Sequence, residues 1–277
     1  MPVLRCGTYR LELDRPLLMG IVNLTPDSFS GDGLVGRVDR AIAHAREQLE
    51  AGADILDIGA ESSRPGAVPT PEDEELRRLL PVLREVSTWG VPISVDTYKP
   101  AVMRAALEAG ASMINDISGM ANTDALAAVA GSHCAVCVMH MQGSPLNMQQ
   151  QPAYTDVVAE VRDFLAVAVD RCRAAGIDDE RIVVDPGFGF GKTLDHNLAL
   201  FRALTAGMAG QLPILVGLSR KSMLGSITGR TVDQRLAASL GAALIAAQKG
   251  AKILRVHDVA PTADVLAVWS AIEKGER

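Results

Sequence analysis

The chain has 277 residues, which fits one large α/β barrel as readily as two ordinary domains. Hydrophobic residues make up 48% and charged residues 22%, an ordinary globular balance that excludes disorder and collagen-like repeats. With 27 Lys and Arg against 33 Asp and Glu, the net charge of −6 disfavours nucleic acid and anionic membranes, so any anionic ligand has to be met by a local cluster of cations.

Residues 3–14 alternate like strands and predict a hairpin closing the bottom of a barrel. The first apolar run, LLMGIV, ends at Asn23. It is followed by a helix whose Val38, Ile42 and Leu49 share a face and which stops at Ala51-Gly52. ADILDI, through Ile58, leads to a helix opened by Thr70 as N-cap, Pro71 at the first helical position and then acids. PISV runs into Asp96, and the next helix stops at Ala109-Gly110. SMI precedes Asn115, and AVCVM precedes His140. A helix is expected from near Tyr154 to Gly176. RIVV leads to Asp185, PILVG to Leu218, and KILRV to His257, with an Ala-rich helix over residues 236–248 between the last two.

Eight unalternated apolar runs, each followed by a helical pattern, with no linker-like break, predict one (β/α)₈ barrel over residues 1–277. No apolar run approaches the roughly 18 residues of a membrane helix, and the N-terminus lacks a signal-peptide core, so a soluble, cytoplasmic chain is expected. The four cysteines are too sparse for a disulfide scaffold. Cys134 and Cys137 form a C-x-x-C, but residues three apart on a strand face opposite sides and cannot share a metal.

Polar side chains close strand after strand: Asn23, Asp96, Asn115, His140, Asp185 and His257. In barrels these ends form the active-site rim, although any one of them equally suits a helix cap. Arg255 points the same way as His257, and an arginine inside a barrel calls for an anion, most economically a phosphate-bearing ligand. The stretch from Leu218 to Leu224 predicts a short extra helix, with Ser219 or Ser222 at an anion-binding start. The glycine loop from Asp185 to Thr193 is one residue short of a nucleotide-binding P-loop; it offers Phe188 and Phe190 either as a stacking surface or as packing under the loop. The loops at residues 25–36 and 61–69 have the length and glycine content to close over a ligand, and the second brings Arg64.

At these residues the chain resembles the dihydropteroate synthase family nearly end to end. The family's two signatures appear as MGIVNLTPDSFS from Met19 and DIGAESSRPG from Asp57. SVDT from Ser94, IND from Ile114, VMHMQG from Val138, DPGFGFGK from Asp185, SRKS from Ser219 and RVHD from Arg255 follow in the family's order. The resemblance implies a transferase of folate biosynthesis that joins a dihydropterin pyrophosphate to p-aminobenzoate and is the target of sulfonamides.

It implies that Asp96, Asn115 and Asp185 bond the pterin, with Lys221 on the ring's carbonyl side. Asn23, Arg64, Arg255 and His257 would hold the pyrophosphate, with Mg²⁺ bridging it to Asn23. Phe29, Ser63, Pro65, Phe190 and Ser222 would surround p-aminobenzoate. The catalytic set implied is Asn23, Arg64, Asp96, Lys221, Arg255 and His257, in a homodimer. Ala60 and Ser63 depart from the family's usual Gly and Thr, and Gly31-Asp32-Gly33 departs from its usual loop. Two alternatives share the pterin residues: a methyltetrahydrofolate methyltransferase-type barrel, which has no use for the cation cluster, and a catalytically silent pterin-binding protein.

Overall fold

The structure is a computed structural model that describes residues 3–25, 38–205, 208 and 210–275. The chain opens with β1 (Val3–Cys6) and β2 (Tyr9–Glu12), an antiparallel pair that turns at Gly7, where φ is +63°. Strands and helices then alternate: β3 (Leu17–Asn23), α1 (Val38–Glu50), β4 (Ile55–Gly59), α2 (Glu72–Val86), β5 (Ile93–Asp96), α3 (Pro100–Glu108), β6 (Met113–Asp116) and α4 (Thr123–Ala130). The second half continues with β7 (Ala135–Met139), α5 (Val157–Ala174), β8 (Ile182–Asp185), α6 (Leu194–Ala203), β9 (Leu215–Val216), α7 (Ser222–Thr228), α8 (Leu236–Gln248), β10 (Ile253–Val256) and α9 (Val259–Lys274).

The eight strands from β3 onward are parallel and lie in the order β8-β7-β6-β5-β4-β3-β10-β9. The ring closes between β8 and β9 through the bridge Val184 to Ile214 and the Val184 N–H on the Pro213 carbonyl, so the fold is the expected (β/α)₈ barrel. Inside its lower end, Leu17, Met19, Ile55, Met113, Cys137, Val183, Leu215 and Ile253 pack against Leu4, Cys6 and Leu13. The hairpin therefore plugs the bottom, as its alternation predicts. The larger apolar cluster lies between strands and helices and contains Cys134. The two cysteines of the C-x-x-C sit in different clusters; all four cysteines are free and buried, and burial pushes both of these thiols up. No helix among the described residues is long and apolar enough to cross a membrane.

Helix stops at Gly52, Gly110 and Gly176 use left-handed backbone, with φ of +98°, +105° and +85°. Two expected starts are corrected. Thr70 does not cap α2: Pro71 occupies the N-cap and its carbonyl accepts from the Glu75 N–H, while Thr70 directs its own N–H to Glu61. Helix α5 starts at Val157 rather than Tyr154, because the Asp156 carboxylate accepts from the N–H groups of Val158 and Ala159. Tyr154 instead donates its hydroxyl to the Gly191 carbonyl at 2.8 Å.

Candidate active site

Strand register sets the floor of the mouth. Asn23, Gly59, Asp96 and Asn115 stand side by side on β3 to β6, so their inward positions form one row. Gly59 leaves the gap in that row: a Cβ there would lie 3.5 Å from Asp96 Cβ and 3.9 Å from Asn23 Oδ1. Asn115 and Asp185 are buried, while Asn23 and Asp96 are half-buried.

Arg255 starts lower, level with Met19, and its side chain climbs past the row. Its Nε–H donates to Asp57 Oδ2 at 2.6 Å and its Nη2–H to Asp96 Oδ2 at 3.0 Å. Two carboxylates thus already offset the charge of this half-buried arginine before any ligand anion meets it. Asp57 was not singled out in the sequence, because its partner lies 198 residues away. Its side chain is fully buried, and Oδ1 has no hydrogen-bond partner. Burial pushes the Asp96 carboxyl up to about 7, Arg255 pulling it back and Asp57 adding to the rise.

Across the mouth, Asp185 Oδ1 accepts from the Gly187 N–H at 2.7 Å. Gly187 holds φ at +68°, and a Cβ there would fall 1.8 Å from the His140 carbonyl oxygen, so this turn admits only glycine. The turn separates the two aromatics. Phe188 is fully buried edge-on against Phe201, which settles it as packing rather than a stacking surface, whereas Phe190 is half-buried at the mouth. Lys221 reaches this loop, donating to the Phe188 carbonyl with its Nζ 4.7 Å from the centre of the Phe190 ring. A Cβ at Gly217 would lie 3.9 Å from Lys221 Nζ and 3.8 Å from Arg255 Cβ, so the two cationic side chains converge on one glycine. Burial lowers the Lys221 ammonium to about 8, with Asp185 opposing the fall. Lys192, absent from the expected set, donates to His140 Nδ1 and to the carbonyls of Gly187 and Phe190 at 2.9 to 3.0 Å, and so holds the glycine loop from behind. His140 accordingly sits under the loop instead of facing the mouth.

The remaining side of the mouth is built from β10 and two loops. Ser219 Oγ accepts the His257 N–H at 3.2 Å and lies 3.0 Å from Nδ1, which holds the ring in place. Burial, with Arg255, Arg220 and Arg64 adding, lowers the His257 imidazole to about 3, so the ring is neutral at pH 7. Arg64 is half-buried in the loop after β4 and close enough to act on His257. Arg220 is turned away: its Nε–H donates to Asp258 Oδ2 at 2.9 Å, and its backbone is left-handed with φ of +57°. Ser63 is half-buried, Pro65 is exposed, and Ser222 is exposed as the first residue of α7. The expected contribution of Phe29 lies outside the described residues, as does the Gly31-Asp32-Gly33 variation.

The mouth therefore joins the carboxylates of Asp96 and Asp185 and the amides of Asn23 and Asn115 to an adjoining patch of guanidinium, ammonium and imidazole groups. Such a pairing suits a ligand with a polar ring at one end and an anion at the other. The family model for pterin binding enzymes matches residues 19–257. A dihydropteroate synthase of Neisseria meningitidis serogroup C is 49% identical over 275 residues, covering 98% of this chain and 97% of its own. The crystal structure of Burkholderia cenocepacia dihydropteroate synthase complexed with 7,8-dihydropteroate superposes with a TM-score of 0.90 at 48% identity, covering 99% of this chain and 97% of that one. Yersinia pestis dihydropteroate synthase in a sulfonamide drug complex gives 0.94 at 45% identity, with 98% of both chains covered. This chain belongs to the pterin-binding enzymes, in the dihydropteroate synthase family.

Proposed function

We propose that the protein condenses 6-hydroxymethyl-7,8-dihydropterin pyrophosphate with p-aminobenzoate, giving 7,8-dihydropteroate and pyrophosphate. The observation that carries this reading is the contiguity of the Asp96, Asn115, Asp185 and Lys221 set with Arg255, Arg64 and His257. Asp96, Asn115 and Asp185 match the donor edge of a pterin, and Lys221 meets its carbonyl. Arg255 keeps Asp57 as a buried partner when the pterin takes Asp96, and its other N–H groups turn to the diphosphate together with Arg64 and the His257 imidazole.

The C–O bond at the pterin methylene breaks, its electron pair leaves with pyrophosphate, and the aniline nitrogen of p-aminobenzoate forms the new C–N bond and loses a proton. No protein nucleophile is needed. Arg255 and Arg64 stabilise the charge growing on the leaving group, while the Asp96 carboxylate favours positive charge on the pterin. The aminobenzoate ring would lie against Phe190 and Pro65, with Ser63 beside it and its carboxylate at Ser222.

Mg²⁺ fits this site as an ion carried with the diphosphate. The described residues contain no group of three or more His, Cys, Asp or Glu able to cage a metal, but Asn23 presents an amide oxygen in the gap beside Gly59, a hard donor of the kind Mg²⁺ takes alongside phosphate and water. Bound there, the ion would supply charge neutralisation to the leaving group.

The single domain over residues 1–277 is part of the same proposal, supported by the shared apolar cluster of hairpin and barrel. A cytoplasmic location is supported by four free, buried cysteines. A homodimer is supported by exposed Leu236 and Ile245 on the Ala-rich α8, and light scattering reads its mass. Activity is tested by coupled pyrophosphate release: release that requires p-aminobenzoate and yields dihydropteroate is expected, and pterin binding without release would mean a silent binder.

A further inference from the structure

The loop that carries Ser63, Arg64 and Pro65 is closed at its base by a buried charge cluster that the proposed chemistry does not use. Glu61 Oε2 accepts the Thr70 N–H at 2.8 Å, pinching the two ends of the loop together. Lys99, just beyond β5, donates to that same Glu61 oxygen, to the Thr70 carbonyl, and to Glu75 Oε2 at 2.6 Å. All three N–H groups of its ammonium are therefore spent, two on the ends of the loop and one on α2. Glu75 Oε1 in turn accepts the Thr97 hydroxyl at 2.7 Å, and Thr97 follows Asp96 directly. The side chains of Lys99, Glu61 and Glu75 are only 11%, 7% and 1% exposed.

We propose that Lys99 is a positioning residue for the condensation: its ammonium bolts both ends of the loop at residues 61–70 to the strand end that carries Asp96, and so sets where Ser63, Arg64 and Pro65 stand over the mouth. The inference rests on the reading that this loop meets p-aminobenzoate and the diphosphate. The physical reason is a charge count. Two buried carboxylates share one ammonium, with the Tyr98 hydroxyl also on Glu61; without that ammonium Glu61, Glu75 and the Thr70 carbonyl lose their common donor, so the base of the loop opens. Arg64 moves with it, whereas Asn115 and Asp185, held on β6 and β8, do not.

The test is full steady-state kinetics on the intact Lys99→Met protein, beside calorimetry with 6-hydroxymethylpterin, which lacks the diphosphate. The KM for p-aminobenzoate is expected to rise about tenfold or more and kcat to fall, while the 6-hydroxymethylpterin dissociation constant stays within about twofold of wild type. A lower melting temperature with both kinetic constants unchanged means a merely structural lysine and overturns the proposal. So does a parallel loss of pterin and aminobenzoate affinity. Should Lys99→Met fail to fold, Glu61→Gln, which keeps the side-chain volume but weakens the bolt, is expected to move the same KM in the same direction, and an unmoved KM overturns the proposal equally. Wild type is assayed alongside: a wild type that makes no dihydropteroate sinks the functional reading, whereas an active wild type with unmoved variant constants sinks only the role of Lys99.

Discussion

The two ends of the barrel are built from the same strands and have opposite interiors. Ile55 lies in the apolar plug and Asp57, two residues on, in the arginine cluster; Met113 and Asn115, Val183 and Asp185, and Ile253 and Arg255 repeat the change. Each pair shares an inward face by the strand period. One end is dry and closed by a hairpin, and it fixes the ring's geometry. The other end is lined with charges that are buried yet paired, as Arg255 is with Asp57 and Asp96. Inside the barrel, apolar packing therefore fills the bottom and paired charge the top, with barely one turn of the pleat between them.

The largest effect that could break this division lies at the bottom. Met113→Ala removes a fully buried side chain and is expected to cost about 2 to 5 kcal/mol of unfolding free energy by denaturant titration, with substrate KM values unmoved. A changed KM would show that the plug reaches into the site. Next comes Arg255→Met, which removes the guanidinium proposed to meet the leaving group and leaves Asp57 and Asp96 facing each other. Its kcat should drop by about a hundredfold or more, and an unchanged kcat would refute the anion assignment. Asp185→Asn replaces an acceptor-only group with a mixed one against the pterin and is expected to weaken pterin binding about tenfold by calorimetry, with unaltered affinity excluding the role.

The smallest effect sharpens the comparison through pH. Burial holds the Asp96 carboxyl protonated up to about 7 and brings the Lys221 ammonium down to about 8. Activity should rise as Asp96 loses its proton and decline as Lys221 loses its own, so kcat/KM for the pterin substrate should be bell-shaped between those limits. In Lys221→Arg the alkaline limb should disappear, because a guanidinium keeps its charge; a limb that stays would assign it to another group.

Most of the fold was legible because parallel strands buried on both faces announce themselves as apolar runs, and the polar residue after each run marked the rim. What escaped depended on partners distant in sequence or on the sense of a turn. Asp57 sits inside an apolar run and looks like part of a strand until Arg255 is brought to it. Glu75 and Lys99 lie 24 residues apart, and only the ring sets them side by side. Phe188 and Phe190 could not be told apart without the left-handed backbone of Gly187 and Gly189 between and before them. Thr70 has the residue type of an N-cap, but the loop's closure claimed its N–H and carbonyl first.

The most direct measurement is a crystal structure of the protein soaked with the dihydropterin pyrophosphate and Mg²⁺. The bicyclic ring is expected against Asp96, Asn115, Asp185 and Lys221, with the diphosphate reaching Arg64, Arg255, His257 and the Asn23 amide. A diphosphate turned away from Arg255, or a ring seated elsewhere than on the carboxylate row, would contradict the account.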